Sequence, residues 1–236
     1  MHQPDPLYDK SIACPFYSFS YTTKKARSRF IRPIHTDTDF CTTYKHEAIN
    51  PLYYTVAVCP QCGYSFTDQF SSLFPQSSTT NIQHKIVDQW SFQNYSLERT
   101  RTESINTFKL AIYTANLKKE KPIVLAGLYI RLAWLYRETE NHLEEARFMR
   151  LAEQGYRKSY EEDDLTHTEM TTIRVLYMIG EINRRLGNAH EAIQFFSKVV
   201  DKRKAAFDPK IVDMARDQWY KTREDYKSET QPMQSG

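Results

Sequence analysis

The residues that could do chemistry crowd the front of the chain. VCPQCGYSF, residues 58–66, sets Cys59 and Cys62 on either side of a tight turn, with Pro60 and Gly63 where a zinc knuckle needs them. Two thiolates make half of a tetrahedral site, because structural zinc takes four ligands and accepts sulfur readily. Upstream, ACPFYSF (13–19) has the shape of a first knuckle, but Tyr17 stands where its second cysteine belongs. A phenol with a pKa of about 10 is a poor structural zinc ligand. The remaining thiol is Cys41, in TDFCTTY. The expected site is therefore Cys14, Cys41, Cys59 and Cys62, four thiolates holding a structural Zn²⁺ from three places in sequence. Two alternatives stay open. His35 or His46 replaces Cys41, or the site has decayed and Cys14 and Cys41 are ordinary buried thiols.

Other chemistry is thinner. KKARSRFIR (24–32) holds Lys24, Lys25, Arg27, Arg29 and Arg32. If extended, Arg27 and Arg29 share one face of a strand, which could contact nucleic-acid phosphates. A strand edge kept charged against edge-to-edge pairing explains the same residues. With 32 basic against 29 acidic groups and a net charge of +3, that plainer reading is preferred. HTDTDF offers His35, Asp37 and Asp39 as metal or histidine-orienting groups, although Asx-type turn formation accounts for them. EEDD (161–164) reads as a solvated helix end. Six glycines form no phosphate-cradling loop, and neither H-E-x-x-H nor G-x-S-x-G occurs. A zinc closed by four thiolates has no place for an activated water, so no catalytic role is expected. Three cysteines with an open fourth position would make hydrolysis conceivable.

Two kinds of element must position these groups. All four cysteines and seven of the ten prolines precede residue 76. KSIAC, YSFSYTT, RSRFIRPI and LYYTVAV read as short strands, rich in aromatic and β-branched residues. SSLFPQSSTT (71–80) reads as a linker or helix-entry loop. Beyond it, apolar residues recur at helical spacing, as in Leu125, Leu128, Leu132 and Leu135. Pro122 suits a first helical turn, and Thr166 with Glu169, then Asn188 with Glu191, read as capping boxes. Asp208 and Pro209 open a last helix. About seven helices joined by short turns suggest antiparallel hairpins. Gly180, Gly187, Ala192 and Phe196 fall at tetratricopeptide spacings, and Ala133, Tyr136 and Ala146 follow them loosely. The expected fold is α+β: a β-rich, zinc-ribbon-like domain (1–75), a tetratricopeptide-like helical domain (76–227) and a disordered tail (228–236).

The polar start and a longest apolar run of eight residues, IVLAGLYI, predict neither a signal peptide nor a membrane span, and hence a cytoplasmic protein. PLYDKSIACP, RSRFIRPIHTDTDFCTTYKHEAINPLYYTVAVCPQCGYSF, LYIRLAWLYR and EARFMRLAEQGY together resemble an uncharacterised bacterial domain-of-unknown-function family, twenty-two twenty-five. That resemblance implies C-P-x-C at the first knuckle, C-P-x-C-G at the second, and tetratricopeptide-like helices behind them. Cys14, Cys59 and Cys62 carry over; Tyr17 departs from the pattern. It supplies no activity. The expected function is a non-enzymatic interaction or adaptor module with a structural zinc. A protein or peptide partner would sit on the helices, with Tyr129, Arg131, Tyr136, Arg137 and Arg174 as candidate contacts. Nucleic-acid binding through the basic strand is the alternative, and a zinc hydrolase the third reading.

Overall fold

The structure is a computed structural model that describes residues 4–166, 168–202 and 208–230. Three separate antiparallel hairpins come first. β1 (Leu7–Ala13) pairs with β2 (Ser20–Ala26), Leu7 opposite Ala26. β3 (Pro33–Thr36) pairs with β4 (Thr42–Tyr44), with a register shift between Pro33 and His35. The two-residue strands β5 (Ala57–Val58) and β6 (Ser65–Phe66) close the second cysteine turn. Seven α-helices follow among the described residues: α1 (Gln76–Lys85), α2 (Arg101–Lys118), α3 (Pro122–Glu138), α4 (His142–Glu162), α5 (Thr172–Arg185), α6 (Ala189–Asp201) and α7 (Pro209–Thr230). From α2 to α7, each helix packs on the one before it. None of the described helices is long and apolar enough to cross a membrane.

Local chemistry redirects several expected elements. RSRFIRPI is largely not a strand: a 3₁₀ turn occupies Ser28–Phe30 and β3 begins only at Pro33. LYYTVAV is interrupted because the Asn50 side chain accepts the Leu52 N–H and Pro51 opens a 3₁₀ turn, Pro51–Tyr54. Thr166 does not cap a helix. Residues 163–166 form a turn, and α5 starts at Thr172, where the Thr171 hydroxyl accepts the Arg174 N–H. Asn188 does precede α6, but its amide donates to Asn183 and Glu191 pairs with Arg157, so no box forms. The complete capping box belongs to α2, between Thr100 and Glu103. Helix α7 extends through residues 228–230 of the expected tail; residues 231–236 lie outside the described ones.

The apolar interior runs across residue 75. Leu7, Tyr53, Tyr54, Val56 and Val58 share one cluster with Phe108, Leu128, Leu132, Leu176 and Phe196 of the helices. Arg99, just before α2, pins this junction. Its guanidinium donates to the carbonyls of Tyr53 (3.0 Å) and Val56 (2.7 Å), and also to that of Tyr95 (2.7 Å). A smaller cluster gathers Cys14, Cys59 and Cys62 with Tyr21, Tyr64, and Ile82 and Ile86 from α1 and its C-terminal end.

Candidate metal centre

The two cysteine turns have the same backbone design. In the first, the Cys14 N–H donates to the Phe19 carbonyl (2.8 Å) and the Ser18 N–H to that of Cys14 (2.7 Å). In the second, Cys59 donates to Tyr64 (3.0 Å) and Gly63 to Cys59 (2.9 Å). Ser18 (φ 55°) and Gly63 (φ 73°) hold the corresponding left-handed position. Each turn also points amides at sulfur. The N–H groups of Phe16 and Tyr17 hydrogen-bond to Cys14, those of Gln61 and Cys62 to Cys59, and that of Tyr64 to Cys62. Tyr17 thus occupies the place that Cys62 fills in the second turn. Its ring turns out to solvent, where the hydroxyl donates to Gln83 of α1 (2.9 Å).

Three sulfurs converge. The Sγ atoms of Cys14, Cys59 and Cys62 lie within 4.8 Å of one another, with 3.7 Å between Cys14 and Cys62, close enough to hold a metal ion. The three residues are at most 1% exposed. A shared proton splits the first pair. The hydrogen bond from Cys62 lowers the Cys14 thiol to about 6, against the effect of burial, and the same bond with burial pushes Cys62 up. Burial raises Cys59.

The surroundings fit a thiophilic cation. The hydroxyls of Tyr21 and Tyr64, buried in the same cluster, have no hydrogen-bond partner among the described residues. Burial raises both phenols, and the sulfurs raise them further, Cys59 first among these for Tyr21. Unpartnered buried donors are costly. The three-sulfur donor set itself is what suits a thiophilic ion such as zinc. Sequence reading missed Tyr21 and Tyr64, because no local pattern marks a residue whose neighbours come from another hairpin. It also missed Trp90. That indole donates to the Pro60 carbonyl (2.9 Å) and lies over Gly63, where an added Cβ would fall 2.3 Å from its ring.

Cys41 is not in this group, and neither are His35 and His46. Its loop is tied elsewhere: Asp37 N–H donates to the Cys41 carbonyl, Cys41 N–H donates to Asp39, and Phe40 turns through φ 69°. Asp39, fully buried, takes Arg137 of α3 (2.6 Å), the Trp134 indole (3.1 Å) and Arg185 of α5 (3.4 Å). Arg137 also reaches Asp37 and Glu145. Glu181, likewise buried, binds Arg184, Arg185 and the Thr38 hydroxyl. Asp37 and Asp39 are therefore anchors to helices rather than metal ligands, and His35 only meets Asp37 in solvent. Burial pushes the Cys41 thiol up to about 12, despite Arg137.

The basic segment is only partly available. Lys24 pairs with Asp9 (3.0 Å), and Lys25 is half-buried, its pKa lowered by burial and by Lys10. Arg27 lies over the Tyr8 ring and donates to the Asp5 carbonyl. Arg29 lies over Phe30, and Arg32 is exposed. Because β2 stops at Ala26, strand alternation does not align Arg27 with Arg29.

No curated protein and no solved structure matches the chain. A family model described as an uncharacterized protein conserved in bacteria (DUF2225) matches residues 7–222, almost the whole chain and both cysteine turns, and the chain belongs to that family.

Proposed function

We propose that this is a non-catalytic interaction protein of the cytoplasm. Zinc on Cys14, Cys59 and Cys62 fixes the front hairpins, and the helical hairpins offer the surface for a protein or peptide partner. Enclosure carries the reading. The three sulfur residues are sealed among Tyr21, Tyr64, Ile82 and Ile86, whereas a catalytic zinc keeps a position open to water and substrate. Thiol ligands favour zinc among the divalent ions of a reducing compartment, with a fourth ligand from outside the cysteine set. Gly180 supports the tetratricopeptide-like pairing: the Phe196 ring of α6 lies 2.9 Å from where its Cβ would be, a small residue under an aromatic at a close helix crossing.

Metal analysis with activity assays tests this. Wild type should carry one zinc per chain and turn over none of a panel of ester, phosphodiester and peptide substrates, and Cys59→Ser should lose most of the metal. A cobalt-substituted sample should show thiolate-to-cobalt charge transfer. Folded protein with no metal, or zinc-dependent turnover, would overturn the proposal. For the partner, cross-links from a captured protein should fall on α3–α7; cross-links confined to residues 7–66 would move the binding face to the hairpins.

A further inference from the structure

Between α3, α5 and the front loops lies a cavity of about 260 Å³. Apolar side chains make most of its wall, Phe40, Ile130, Trp134, Met170 and Met178 among them. Two polar groups in it lack the partners that burial would normally supply. Arg131 makes no ion pair among the described residues, and its guanidinium donates only to the carbonyl of Gly127, one turn back (3.0 Å). Tyr156 of α4 is 4% exposed, lines the same cavity, and its hydroxyl makes no hydrogen bond among the described residues. The two act on each other electrostatically, since Arg131 counters the effect of burial on the phenol. The other charged groups on the wall do not answer Arg131. Arg174 is engaged by Asp208 (3.1 Å), and Glu169 is exposed without an ion pair among the described residues.

Gly127 explains how the arginine is held. An interior helix glycine is less favourable than alanine. Here its missing side chain leaves room for Arg131, whose Nη1 would stand 3.0 Å from an added Cβ. The guanidinium thus folds back along α3 at the cavity wall. Trp134 is fixed as well, its indole bonded to Asp39.

We propose that this cavity binds a small monocarboxylate with an apolar body, its carboxylate on Arg131 and the Tyr156 hydroxyl and its body against Trp134, Met170 and Met178. A guanidinium and a phenol are matched donors for a carboxylate. Asp39, which also acts on the phenol, is already taken by Arg137, Arg185 and Trp134, and Glu169 on the wall is exposed. The volume suits the body: a cavity of about 150 Å³ already accepts benzene, so this one has room for a ring or short alkyl chain with its head group. The site is separate from the cysteine centre, so its fate does not depend on the reading of the metal.

Calorimetric titration of the full-length protein, as purified, with octanoate, 3-phenylpropionate and their neutral amides tests the proposal. At least one acid should bind tenfold or more tightly than its amide. Arg131→Gln should erase that preference, and Tyr156→Phe should weaken the acid several-fold. Gly127→Ala, by displacing the guanidinium, should do the same. Cys59→Ser reports on the other centre alone, and failure there leaves this result standing. The proposal is overturned if neither acid binds below about 1 mM, if acid and amide bind equally, or if all three cavity variants bind as wild type does. Binding of a Leu-ending peptide with a free C-terminus, in the absence of binding by either small acid, also overturns it.

Discussion

The paired cysteine turns and the loop of residues 37–41 both sit in the front third of the chain, and they hold it together by different chemistry. The turns gather three sulfurs from two hairpins, up to 48 positions apart and close enough to hold a metal ion. The loop sends Asp39 into the helices to meet Arg137 and Arg185, so its closure spans about a hundred residues and is complete within the chain. If the first closure holds zinc as proposed, metal supply would act on it and leave the second untouched. The difference also shows in the two turn types. The cysteine turns repeat a local hydrogen-bond pattern, whereas the Asp39 loop takes its shape from what it meets.

The comparison breaks most readily at the ion pair. Arg137→Ala leaves Asp39 buried with fewer partners and should cost about 3–5 kcal/mol in urea unfolding while leaving metal content unchanged. A loss under 1 kcal/mol would mean the loop is not an anchor. Next in size, Tyr17→Cys restores a second thiol to the first turn. It should tighten zinc tenfold or more, which competition with a chromogenic chelator would read; no change would mean that position 17 cannot turn inward. A gentler probe is acid. Burial pushes Asp39 up, but the hydrogen bonds and charge of Arg137, with Arg185, outweigh it and hold the carboxyl below its usual range. Its stabilising share is therefore full above the unfolded value of about 3.9 and drains away as pH falls through the folded one. Glu138, raised by burial, works the other way. Melting curves from pH 7 down to 3 should fall more steeply for wild type than for Asp39→Asn. The smallest effect belongs to Cys41→Ala: full metal retention and a cost of about 1 kcal/mol. Loss of zinc in that variant would return Cys41 to the site.

How much of this was legible follows the range of each interaction. CPFYSF and CPQCGY carry their turn in consecutive residues, so the two knuckles and the identities of Cys14, Cys59 and Cys62 could be read directly. The helices declared themselves by period, and Pro122 and Pro209 marked two starts correctly. Cys41 was misassigned because its place is decided by its neighbour Asp39, whose partner Arg137 lies 98 residues on. Thr166 looked like a cap because the Thr and Glu spacing is right, yet Thr171 offers the same hydroxyl closer to the apolar run and wins. Arg131 was named as a candidate contact, but periodicity could not say that Gly127 would seat it at a cavity wall. The mid-helix glycine was the available signal.

The indole over Gly63 has one more consequence. Trp90 covers the second turn and fixes its shape by donating to the Pro60 carbonyl, while Ser18, at the matching point of the first turn, is exposed. The first turn is held differently: Phe16 stacks on Tyr64 and meets Phe74, and the Tyr17 hydroxyl donates to Gln83. An ion taken up by the three sulfurs would therefore meet two turns already shaped by aromatic rings from elsewhere in the chain.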